Sequence, residues 1–205
     1  AMRLRPEGDF LGYIGTTSFD SGYNLPTTGT NGDFDKLYHT VITYDQFNMK
    51  IYIDGSLVKT TSITTNLVAG TYSYNSIGDR GTDTAPLIGN IYYVRFWNGT
   101  AITSSEVSTL YANRATVNYS NWKPLTLPTH NYEFRVAETT SVSDLMGSGG
   151  TATYEGSATS NTTDGVIINN PNRNEGNFVN FTPFTITDTT FCMEFYFLML
   201  SLRMS

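Results

Sequence analysis

The sequence predicts an all-β protein built from strands joined by antiparallel hairpins and carrying one short helix. Between Leu37 and Trp97 the chain is dense in Val, Ile, Thr and Tyr, with turn residues separating the runs. Within those runs the side chains alternate with period two, and a single stretch, just after Trp97, shows helical spacing. At 205 residues the chain suits one large β domain better than two full ones.

Taken in order, "LYHTVITYD" at 37 to 45 is a first strand and "MKIYIDG" at 49 to 55 the next. Met49, Ile51 and Ile53 alternate with Lys50, Tyr52 and Asp54, so the odd positions face the core. Asp54-Gly55 supplies the positive φ that a tight hairpin requires, and Leu57-Val58 begins the return strand. "PLIGNIYYVRFWNG" at 86 to 99 is a long strand with Ile91, Tyr93, Arg95 and Trp97 on one face and Tyr92, Val94 and Phe96 on the other. Large side chains on both faces place it inside a sheet, not at an edge. Thr103 and Glu106 form a capping box for a helix carrying Val107, Leu110 and Tyr111 and ending near Asn113. Pro124 and Pro128 break "ATVNYSNWKPLTLPTH" at 115 to 130 into a linker or surface crossing. A second β region follows, with strands expected at 131 to 138, 150 to 161, 164 to 169, 177 to 186 and 191 to 200.

Composition narrows the function. Net charge is -6 and the 12 Lys and Arg are thinly spread, which argues against a nucleic-acid partner. Cys192 is the single cysteine, so neither an internal disulfide nor a multi-cysteine metal site is available. The longest apolar run, "FCMEFYFLML", is about half the ~20 residues of a membrane-spanning helix, and membrane insertion is not expected.

"LYHTVITYDQFNMKIYIDGSLVKT" followed by "LIGNIYYVRFWNGTAITSSEVSTLYANR" resembles the C-terminal half of the laminin-G-like jelly roll, the concanavalin-A-like lectin and glucanase fold. The resemblance covers about 37 to 114, with Tyr38 where the family usually has Trp. The stretch from "NYEFRVAE" to "TFCMEFYF" resembles the opening of the same fold, including a polar Asp-x-x-Gly loop. The order implied is residues 1–114 as a C-terminal half, 115–130 as linker and 131–205 as an N-terminal half. Either a circularly permuted sandwich or a chain cut across two tandem repeats gives that order. The strand at 191 to 200 is an aggregation-prone edge unless covered: internal in the permuted version, paired with a neighbouring chain in the other.

Enzymes of the wider fold use two carboxylates about 5 to 9 Å apart. No Glu-x-Asp-x-x-Glu pattern occurs here; Glu194 reads as isolated on its strand and Glu133 has no second carboxylate nearby. His39 and His130 lack a nucleophile placed by motif and read as structural. Cys192, between Phe191 and Met193, reads as a buried small hydrophobe. The resemblance also raises calcium at a loop rim, where Asp79 and Asp83, or Asp33 and Asp35, offer hard oxygen ligands. Trp122 is the ring that a core explains least, and the candidate contact for a ligand. Sequons at Asn98, Asn118, Asn161 and Asn180 point to an extracellular or virion setting, although a chain so rich in Asn, Thr and Ser forms them readily by chance. The expectation is a non-catalytic binding or assembly module on a virion or cell surface, meeting other proteins or glycans. A carbohydrate-binding lectin-like module is the first alternative and a glycoside-acting enzyme the second.

Overall fold

The computed structural model describes residues 2–4, 9–14, 17–24, 36–63, 70–71, 76–78, 88–116, 124–147, 150–170, 176–183, 185–186 and 189–201. The first segment holds β1 (Met2–Leu4), β2 (Asp9–Ile14), β3 (Thr17–Asn24), β4 (Lys36–Tyr44), β5 (Asn48–Ile53), β6 (Ser56–Ser62), β7 (Gly70–Thr71), β8 (Ser76–Gly78), β9 (Ile88–Asn98) and α1 (Ser104–Ala112). The second holds β10 (His130–Glu133), β11 (Ser141–Ser143), β12 (Thr151–Glu155), β13 (Thr159–Asn161), β14 (Gly165–Asn169), β15 (Phe178–Phe181), β16 (Thr185–Ile186) and β17 (Phe191–Ser201).

The large sheet runs β13-β14-β9-β17-β4-β5-β6, with β10 also on β9, and a smaller sheet runs β11-β12-β15-β8. β1-β2-β3 and β16-β7 form two further small sheets. Pairings among the described strands are antiparallel, as a sandwich of this class requires. Strands of both segments share each of the two main sheets. β17 lies at the centre of the large one, with β4 on one side and β9 on the other.

The apolar faces of the two main sheets meet in one core. Tyr38, Ile42, Met49, Ile51, Ile53, Val94, Phe96, Phe195 and Phe197 come from the large sheet, and Ala152, Tyr154, Val179 and Phe181 from the small one. The odd face of β5 is therefore the core face, as its alternation predicts. β9 departs from the simple alternation. Its register against β17 passes from Tyr93 opposite Tyr196 to Ile91 opposite Phe197, leaving Tyr92 as an extra residue. That bulge returns Ile91 to the core with Val94 and Phe96, whereas Tyr93, Arg95 and Trp97 point outward. β10 also stops short of the expected 131 to 138, because the Glu133 carboxylate accepts from the Arg135 backbone N–H and holds its guanidinium at 2.6 Å, a local tie that bends the chain.

The hairpin between β5 and β6 is a two-residue turn in which Asp54 and Gly55 both have positive φ, +50° and +77°, the backbone that right-handed strand twist favours. A Cβ on Gly55 would sit 2.9 Å from the Tyr111 ring, so the turn also seats the last turn of α1. Thr103 caps α1 with Glu106 completing the box, and Asn113 ends it. The helix buries Val107 and Leu110 on the outer face of the large sheet, against Val41, Tyr52, Trp97 and Cys192. Among the described residues no helix is long and apolar enough to cross a membrane.

Candidate functional site

Beside that helix the outer face of the large sheet carries a buried polar cluster. Alternation along β17 turns Phe191, Met193, Phe195 and Phe197 toward the core and Cys192, Glu194 and Tyr196 outward. Glu194 stands opposite Val41 on β4 and Arg95 on β9, and its side chain is fully buried. The Arg95 guanidinium donates to Glu194 Oε2 at 3.0 Å. His39 Nε2 meets Oε1 at 2.8 Å, and the Tyr93 hydroxyl donates to the same oxygen at 3.0 Å. Arg95 Nε also donates to Asn131 Oδ1 at 3.4 Å. Glu194 is thus not isolated: its partners lie 99 to 155 residues away in sequence, beyond the reach of any local pattern.

The electrostatics follow from this enclosure. Burial pushes the Glu194 carboxyl up, but the Arg95 charge and the hydrogen bonds from His39 and Arg95 outweigh it and hold the group below the usual carboxylate range. The Tyr93 hydroxyl is driven well above its ordinary value by burial and by the neighbouring Glu194 charge. Burial and the same charge raise the Cys192 thiol, which keeps it protonated among its apolar neighbours.

Tyr111 and Arg114 cover this cluster from the end of α1. The Tyr111 ring lies 5.7 Å from the His39 ring, and the Arg114 guanidinium stacks on Tyr111 at 4.0 Å. Tyr92 and Tyr196, with centroids 5.2 Å apart, continue the aromatic surface beyond them. Arg135 lies 5.7 Å from the Tyr92 ring while holding Glu133 with two guanidinium nitrogens. A second buried acid sits elsewhere: Asp144 Oδ2 contacts His130 Nδ1 at 2.8 Å, and Oδ1 accepts the backbone N–H groups of Asn131 and Met146. His39 and His130 therefore each contact a buried carboxylate.

Residues 3–108 match the Concanavalin A-like lectin/glucanases superfamily. The chain belongs to that superfamily. No curated protein and no solved structure matches it. Its laminin-G-like sandwich is accordingly the fold on which this cluster is mounted, in a superfamily that holds both binding modules and glycosidases. The residues that the sequence offers for ligand contact or metal, Trp122, Asp79 and Asp83 together with Asp33 and Asp35, lie outside the described residues. Among the described residues no group of three or more His, Cys, Asp or Glu side chains could hold a metal ion. The cluster that the structure does describe is signalled in the sequence by one oddity, a charged residue within an otherwise apolar strand. A lone glutamate there requires a buried cation, and Arg95 on the other long strand is the residue that answers it.

Proposed function

We propose that the chain is a non-catalytic binding or assembly module that works from an exposed surface of a virion or cell, through contacts with other proteins or glycans. The observation that carries this reading is the state of Glu194. A glycosidase needs one carboxyl with a raised pKa as general acid and a second, ionised and open to the sugar, as nucleophile or base. Glu194 is held below the usual range, fully buried, with both oxygens occupied, and Glu133 is clamped by Arg135. Neither carboxylate is disposed to act on a glycosidic bond. The lectin-like reading is favoured by Tyr92, half-buried beside Tyr196 and Arg135 on the outer face, where a ring is available to a sugar's apolar side.

The test is a screen of the purified chain against a glycan array and against surface or virion proteins, with and without EDTA, alongside a polysaccharide hydrolysis assay. Binding without hydrolysis is the expected result. Glycan binding lost on Tyr92→Ala would select the lectin-like version, and loss in EDTA would bring in calcium. Hydrolysis abolished by Glu194→Gln or Glu133→Gln would overturn the non-catalytic reading.

A further inference from the structure

We infer that the slot between β4 and β9 is a docking site for β17 of a second copy of this chain, so that two copies can exchange the segments holding residues 130–201. β4 and β9 share no ladder; each is hydrogen-bonded to β17, which fills the gap between them. At the usual strand spacing that gap is two inter-strand steps, about 9.5 Å. The walls and floor of the slot come from the first segment. α1 packs Val107 and Leu110 against Val41 and Tyr52 on one side and Trp97 on the other, bridging β5, β4 and β9. Among the described residues, Cys192 is the one member of that floor cluster contributed by the second segment.

The slot is selective. Among the described residues, every side chain bonded to Glu194 belongs to β4 or β9, so without β17 the Arg95 guanidinium loses its carboxylate. A slip of one residue would turn Glu194 into the apolar core and set Phe195 against Arg95. Only a strand with an acid at this register satisfies the cluster, and a further copy of the chain carries one. A single covalent connection, residues 113–129, runs between α1 and β10. The contacts are the same whether that connection returns the segment to its own chain or another, so the local concentration set by the connection decides between the closed and exchanged forms.

Charge reversal tests this in the full chain. Arg95→Glu faces Glu194 with a second acid, and Glu194→Arg faces Arg95 with a second base, so neither variant closes on itself. In a reciprocal exchange between the two, one slot pairs the two substituted side chains and the other pairs the native Arg95 with the native Glu194, so both are matched. Each variant refolded alone should lack cooperative unfolding, and the equimolar mixture should regain it at the mass of two chains. A mixture no better folded than its components, while the double variant folds as a monomer, would overturn the inference. If the double variant does not fold, deletion of residues 118–122 decides, since a shorter connection disfavours return to the same chain. Dimers that increase with refolding concentration are expected, and a folded monomer at every concentration would overturn the proposal.

Discussion

Asp144 and Glu194, the two buried carboxylates among the described residues, solve the same physical problem in opposite ways. Asp144 takes its donors from nearby: two backbone N–H groups and the His130 ring, all within fourteen residues. Glu194 takes side-chain donors from two strands far away in the chain, one of them a guanidinium. A local acid of the first kind shapes a turn. A distant one of the second kind fixes which strands are neighbours and in what register, because its donors converge in one alignment alone.

Breaking the distant pair should cost most. Arg95→Met leaves Glu194 buried without its guanidinium partner, and a loss of about 3–5 kcal/mol is expected, read as a lowered denaturant midpoint. Asp144→Asn keeps an acceptor for the backbone N–H groups and disturbs the His130 contact, so about 1–3 kcal/mol is expected in the same measurement. Equal losses would erase the distinction between the two sites. The pH dependence sharpens it. Because the folded Glu194 carboxyl lies below its unfolded value, its contribution is fully present above about pH 4.3 and is lost as pH falls through the lower folded pKa. Glu194→Gln should therefore flatten the acid limb of thermal stability, and an acid limb as steep as in the parent chain would contradict the assignment. At the other end, burial and then a neighbouring carboxylate raise Tyr93, beside Glu194, and Tyr132, beside Asp144, the latter to about 12. Above about pH 10 the unfolded tyrosines ionise while these stay protonated, so stability should decline there and decline less in Tyr93→Phe. The mildest probe is chemical: Cys192 should resist a thiol reagent until the chain unfolds, and rapid labelling of the native protein would show that β17 opens locally.

The same contrast explains what was legible in the sequence. Period-two alternation located β4, β5 and β9, the capping box placed α1, and the mixed large side chains on β9 marked it as internal, because each of these signals is set by neighbours within a few residues. The face of Ile91 was not legible, since a bulge at Tyr92 is decided by pairing with β17, a partner about a hundred residues on. The carboxylate of Asp144 lay within a visible Asp-x-x-Gly loop. Glu194, by contrast, read as isolated, because its environment exists only after β4, β9 and β17 have met.

The central position of β17 sets a timetable for folding. His39 and Glu194, which touch in the finished sheet, are 155 residues apart. At a synthesis rate of about 5–20 residues per second, a ribosome makes the second of them roughly 8 to 30 seconds after the first. From the time each is made until β17 arrives, β4 and β9 present an unsatisfied row of backbone donors and acceptors, and the first segment waits with its sheet open in the middle. High contact order of this kind slows folding and lengthens exposure to whatever strands are nearby. On a polysome, the nearest are those of sister chains.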